Sequence, residues 1–292
     1  LYQSIKEELM DQFNVYKDMK ARTNGEIYIG VVGPVRTGKS TFIKRFMNLM
    51  VLPNIEDEND RNRANDELPQ SSSGKTIMTT EPKFVPNEAV SIKTEEGIEL
   101  NVRLIDCVGY MVEGATGHME GEEERLVKTP WFDYEIPFTK AAAIGTKKVI
   151  TEHSTIGVVV TCDGSFGEIA AKQYEPAEEE TIKQLKALKK PFVVLLNTIH
   201  PYSESTKQLA AEKEEKYQTK VLPMNLEQMK KEDIYEIIKS VLMEFPISSI
   251  GFYVPRWTEM LKKDHPLKME LLQMARDVIT EKTTMRDIYE EQ

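Results

Sequence analysis

The chain has 292 residues, 40% of them hydrophobic and 29% charged, with a formal net charge of −10 and a pI near 5.2. That is room for one large α/β domain and a small appendage, and an acidic chain without a basic stripe excludes general nucleic-acid binding. Two cysteines, Cys107 and Cys162, are too few for a disulfide framework and indicate a reducing compartment; no secretory leader or apolar run of membrane-spanning length is read.

The first nine residues, LYQSIKEEL, precede a candidate initiator at Met10 and carry no assigned function. Residues 10–22 are expected to form a short helix ending at Asn24-Gly25. From Glu26 to Thr41 the chain reads EIYIGVVGPVRTGKST. An apolar run of strand character leads into G-x-x-x-x-G-K-S (Gly33, Gly38, Lys39, Ser40), and a helical pattern, FIKRFMNLM, follows. A phosphate-cradling P-loop requires that setting, strand before and helix after. The glycines let the backbone curl so that amides of Val35, Arg36, Thr37, Gly38, Lys39, Ser40 and Thr41 face phosphate oxygens. The helix start adds the positive end of its dipole. Lys39 would reach the β- and γ-phosphates, and Ser40 would offer its hydroxyl to Mg²⁺.

A long polar stretch, residues 54–81, comes next, and a loop of that length is usually functional or mobile. It contains SSSGKT, but Pro69 stands where a second P-loop would need its first glycine. Strand-like runs follow over 83–94 and 99–105, separated by a turn at Glu95 to Gly97. Beyond a polar segment, helices are expected over 139–153, 177–189, 204–217 and 232–245, alternating with strands over 155–161, 191–196 and 221–224. The alternation implies an α/β fold, a mostly parallel sheet with helices on both faces. With the P-loop it predicts a P-loop NTPase of GTPase-like layout. The expected division is a leader (1–25), the P-loop domain (26–245) and a C-terminal helical extension (246–292) that begins a following domain.

Asp106-x-x-Gly109 closes the second strand of the hairpin. A carboxylate there can hold a Mg²⁺-bound water, and the Gly109 amide can bond a γ-phosphate. Thr79 and Thr80 end the polar loop, and one of them could complete the Mg²⁺ shell as switch threonines do. The base-reading motif breaks the pattern. Where a GTPase places Asn-Lys-x-Asp, this chain has Asn197-Thr198-Ile199-His200. The absent aspartate would accept two guanine N–H bonds of about 1.5–3 kcal/mol each, so roughly 3–6 kcal/mol of guanine preference is gone. ATP is the obvious alternative. Tyr110 stands where many GTPases carry the glutamine that orients water, which predicts slow intrinsic hydrolysis; Arg36 or Lys75 could supply positive charge instead. Trp131 and Trp257 suit packing, and the four histidines are too scattered for a zinc site.

GVVGPVRTGKSTFIK, DELPQSSSGKTIMTTEPKFVPN, RLIDCVGY, PWFDYEIPF, IGTKKVITEHSTIGVVVT and VLPMN together resemble the stage IV sporulation protein A family of endospore-forming bacteria. The resemblance runs from about Val15 to the end of the chain, and its middle blocks are more specific than the P-loop. It implies an ATPase on a GTPase-derived scaffold, made in the mother cell, that settles on the outer forespore membrane. There it polymerises into the base layer of the spore coat. Family roles in ATP binding and hydrolysis would fall on Lys39, Asp106, and Thr79 with Thr80. Implied partners are further copies of the chain, a small amphipathic docking peptide and other coat proteins, the latter two through regions outside this chain. A regulatory GTPase switch and a nucleotide-binding scaffold without turnover are the alternatives.

Overall fold

The computed structural model describes residues 25–69, 81–93, 99–120, 123–167, 169–247 and 250–289, without the side chains of 281 and 289. The expected helix over 10–22 and the loop residues Lys75, Thr79 and Thr80 lie outside them. Within them, β1 (Glu26–Val32) becomes fully buried toward its C-terminal end because it runs through the middle of the sheet. The P-loop delivers the chain to α1 (Lys39–Phe46), which is extended by a π turn at Met47–Val51. Phe42, Ile43, Phe46, Met47 and Met50 are buried, at helical spacing. Each such side chain taken from water contributes about 1.5–3 kcal/mol.

The expected featureless loop holds α2 (Glu58–Asp66). Its sequence, ENDRNRAND, has one buried residue, Ala64, so no apolar periodicity announces it. What starts it is Asp57, whose carboxylate accepts from the Asn59 and Asp60 amides. Then come β2 (Lys83–Lys93) and β3 (Glu99–Asp106), paired antiparallel as the turn predicts. The segment between β3 and the next helix contains two small hairpins, β4 (Met119–Glu120) with β5 (Glu123–Glu124), and β6 (Leu126–Thr129) with β7 (Phe132–Pro137). These strands are too short to show alternation in sequence.

From there α3 (Phe138–Lys148), β8 (Ile156–Cys162), α4 (Ala171–Ala187), β9 (Phe192–Asn197), α5 (Glu204–Tyr217), β10 (Val221–Met224) and α6 (Lys231–Met243) follow the expected alternation. The exception is the start of α4, six residues before the expected Ala177. Pro176 sits inside it at the cost of one helix bond, while burial of Tyr174 and Ala177 holds the turn in place. The terminal helical stretch divides into α7 (Pro266–Glu281) and α8 (Met285–Tyr289). Between them the chain returns to the domain: the Ile247 amide donates to Thr283 and the Met285 amide to Phe245, both at 3.0 Å.

The sheet order is β10-β9-β8-β1-β3-β2, parallel except for β2. Alternate strand residues feed two cores, one per face. Val31, Leu104, Val158, Val160, Val193 and Leu195 meet α1 and α6. Val32, Ile105, Val159, Val194 and Leu196 meet Val149, Ile182 and Tyr217 on the other side. The register pairs Val31 with Asp106, Cys162 with Asn197, and Asn197 with Met224. Strand ends, and whatever the following loops carry, therefore line up along one edge, where ligands of open α/β sheets bind.

Candidate nucleotide site

The loop leaving β1 needs its glycines for reasons of space as well as conformation. Gly33 (φ 128°) passes so close to β8 that a Cβ would lie 2.5 Å from the Val160 carbonyl oxygen. At Gly38 (φ 101°), the N-cap of α1, a Cβ would lie 2.6 Å from Nδ2 of Asn197. Arg36 also adopts a left-handed conformation, φ 62°. Among the described residues no side chain caps α1, and its first-turn amides face the cradle without an internal acceptor there. Oriented amides at a helix start are an anion site, and phosphate is the anion this curl fits.

Lys39 is buried, and its Nζ donates to the carbonyls of Gly33 (3.4 Å) and Pro34. Burial lowers its pKa. Burial also raises the Asp106 carboxyl to about 6, against the pull of the Lys39 ammonium and the favourable Cys107 amide and Ser40 hydroxyl. Oδ1 of Asp106 is buried and has no hydrogen-bond partner among the described residues. A divalent cation would satisfy that orphaned oxygen, with Ser40 as its neighbour, so the donor set fits Mg²⁺. Cys107, inside the same motif, has its thiol pushed up to about 11 by burial, which leaves it inert.

The D-x-x-G loop lies directly on the P-loop. Gly109 has φ 95°, and a Cβ there would fall 2.2 Å from the Gly33 carbonyl oxygen and 2.6 Å from Lys39 Nζ. The Tyr110 amide donates to Gly33 (3.2 Å), and the Val35 amide to Tyr110 (2.9 Å), so the two loops pair like short parallel strands. The Tyr110 ring packs on a small satellite core with Val35, Val112 and Tyr174. The Arg36 guanidinium donates to the Thr116 hydroxyl at 3.3 Å, across the loop that follows Tyr110.

Asn197, at the end of β9, is committed at both ends of its carboxamide. Nδ2 donates to the Thr37 carbonyl (3.0 Å), and Oδ1 accepts from the Leu226 amide (3.2 Å). It joins the P-loop to the loops after β9 and β10. Thr37 braces the curl from within, its hydroxyl donating to Pro34 at 3.0 Å. The structure thus gathers Gly33, Val35, Arg36, Thr37, Gly38, Lys39, Ser40, Thr41, Asp106, Gly109 and Asn197 along one sheet edge. Thr79 and Thr80 fall outside the described residues. Sequence reasoning did not single out Leu226, Ser165 or the Pro34–Tyr110 pairing, which are contacts between segments far apart in the chain.

Binding a polyphosphate is what such a cradle can do, and the sheet order, with β2 its one reversed strand, is that of P-loop NTPases built on the GTPase-like plan. The family description "Stage IV sporulation protein A, ATPase domain" matches residues 10–246, and its middle domain matches 247–292. The chain belongs to the stage IV sporulation protein A family. It is 54% identical over 275 residues to the Clostridioides difficile (strain 630) protein of that name, covering 94% of this chain and 56% of that one. It is 49% identical over 279 residues to the Bacillus anthracis protein, covering 96% and 57%. The chain therefore spans little more than half the length of these curated relatives. Among solved structures, a GTP-binding protein of Sulfolobus solfataricus in complex with GDP is similar at a TM-score of 0.42, with 14% identity over 82% of this chain and 58% of that one.

Proposed function

We propose that this chain binds and slowly hydrolyses ATP with Mg²⁺, as the nucleotide-driven part of a protein that assembles the base of the spore coat. One observation supports the ATP reading above others. Lys39, Asp106 and Gly109 meet in one buried cradle, in a chain whose guanine-reading carboxylate position holds His200. Lys39 would leave its own loop's carbonyls to meet the phosphates, which are stronger acceptors for an ammonium. Ser40 and Asp106 would hold Mg²⁺, with Thr79 or Thr80 completing the shell; the ion would offset charge developing on the γ-phosphate. Gly109 would offer its amide to that phosphate. Tyr110, packed on the satellite core, supplies no water-orienting amide side chain, consistent with slow turnover.

Assembly with further copies of the chain, placement at the forespore surface and contacts with a docking peptide or coat proteins are part of the same proposal, made for the longer protein. Among the described residues no helix is long and apolar enough to cross a membrane, so a partner-mediated attachment suits them. The reading is tested by phosphate release from ATP and GTP under single-turnover conditions. ATP turnover proportional to enzyme, abolished in Lys39→Ala and Asp106→Asn, is the expected result. GTP turnover tenfold faster than ATP turnover would replace it with a GTPase switch, and binding without release would leave a scaffold.

A further inference from the structure

Among the described residues, most of the large hydrophobic side chains left exposed lie between Phe252 and Ile288. Helix α7 carries half of these, and none of its described side chains is buried. At about 100° per residue, Leu267, Leu271, Leu272, Met274, Val278 and Ile279 fall within an arc of about 160°. Lys268, the polar residue inside that arc, is turned onto the carbonyls of Glu259 (3.4 Å) and Leu261 (3.2 Å). Apart from Met269, the opposite face is polar and largely satisfied within itself. There the Gln273 amide donates to Asp277 (2.7 Å) and the Thr280 hydroxyl to the Arg276 carbonyl (2.8 Å). The apolar face is bare: Leu272 is 48% exposed, and Met274 and Ile279 are each 56% exposed. The segment is nevertheless held in place. The Ile247–Thr283 and Phe245–Met285 backbone bonds close its base, and Arg286 reaches Glu244 (3.4 Å) at the end of α6 and the Gln218 carbonyl (3.1 Å).

We propose that α7 is a core helix of the domain that residues 247–292 open, and that polypeptide following residue 292 in the same molecule of the longer protein covers its bare face. This rests on the match to a middle domain and on the greater length of the relatives, not on the nucleotide reading. Three arguments choose this occupant. A stretch as short as 247–292 cannot bury a core of its own. The arc is also too wide for one partner helix from a second copy, which would cover a narrow seam of two positions per heptad. A stripe broader than that is what a helix turns toward a domain core. A lipid surface, in turn, asks for lysine and arginine along the polar face. Here Glu270 and Asp277 flank Arg276. A tethered segment moreover meets the face at a high effective concentration that a free partner lacks.

The test is thiol labelling of Met274→Cys, Ile279→Cys and Glu270→Cys, in the 292-residue chain and in the longer protein, at several protein concentrations. Cys107 and Cys162 are buried and leave a low background, which each parent protein records. In the 292-residue chain all three positions should label as fast as in unfolded protein. In the longer protein, Met274→Cys and Ile279→Cys should label about a hundredfold more slowly, as sites reached only by opening of the domain do. Glu270→Cys should keep its rate, and the protection should not change with concentration. Equal labelling of the apolar positions in both proteins overturns the proposal, as does equal protection of Glu270→Cys. Protection that fades on dilution assigns the face to a second copy and overturns it too. So does protection that appears only with vesicles of anionic phospholipid. All of these readouts are taken without nucleotide, so the ATP reading stands or falls separately.

Discussion

The carboxamide nitrogen of Asn197 lies 3.0 Å from the carbonyl oxygen of Thr37, and through that bond the end of β9 holds the floor of the phosphate cradle. The other end of the same side chain takes the Leu226 amide, so one buried residue fixes three loops. Asn197→Ala would leave the Leu226 amide buried without an acceptor, a loss of about 1–3 kcal/mol. The expected outcome is a lower melting temperature together with weaker ATP binding. An unchanged melt would show that Asn197 does not brace the loop.

Gly109 lies hard against the P-loop, where a Cβ would fall 2.2 Å from the Gly33 carbonyl oxygen. In Gly109→Ala the left-handed backbone costs about 1–2 kcal/mol. The new methyl also separates Tyr110 from Gly33 and Val35, breaking two backbone bonds of about 0.5–1.5 kcal/mol each. Phosphate release should fall at least tenfold, and chemical denaturation should show the stability loss. Full activity in this variant would mean that the close approach is dispensable.

Lys39 predicts opposite effects on stability and function. Its ammonium is buried, and the carbonyls it meets have other donors: Gly33 accepts from the Tyr110 amide, and Pro34 from the Thr37 hydroxyl. Lys39→Met orphans neither carbonyl and removes the buried charge. Below pH 6, where Asp106 holds a proton and is not stranded by loss of the ammonium, the nucleotide-free variant should melt as high as the wild type or higher, while ATP binding at neutral pH is lost. A clear drop in its melting temperature below that pH would contradict this account.

Asp106 titrates near 6 in the folded chain and near 3.8 when exposed, a difference of about 3 kcal/mol. Between those values the folded state holds a proton that the unfolded state has released. Its contribution to nucleotide-free stability therefore declines as pH rises from about 4 to about 6 and is constant above that. Cation binding needs the ionised form, so Mg²⁺–nucleotide affinity should weaken as pH falls below about 6. Asp106→Asn should flatten both profiles; an affinity unchanged between pH 5 and 7 in the wild type would contradict the metal role.

Away from the site, Glu178 is wholly buried between β8 and α5, accepting from Lys213 Nζ at 2.6 Å and from the Thr161 hydroxyl. Lys213→Met strands that carboxylate and should cost about 3–5 kcal/mol in urea unfolding. The double variant with Glu178→Gln should recover much of the loss, because the uncompensated charge is gone.

Residues 26–41 by themselves determined the phosphate loop, because strand, glycine spacing and helix are local and contiguous. The continuous apolar runs at β8 and β9 likewise determined a parallel sheet, since strands buried on both faces show no alternation. The absence of a carboxylate at position 200 was visible too, and with it the expectation that guanine is not read. Helix α2 was not legible, as its only anchor to the core is Ala64 and its start depends on one aspartate cap. Nor were the short hairpins, or the pairing of Tyr110 with the P-loop. The double commitment of Asn197 and the orphaned oxygen of Asp106 were equally invisible. Those belong to tertiary structure alone: each depends on how closely two distant segments approach, and pattern along a chain carries no information about distances between segments that only the packed sheet brings together.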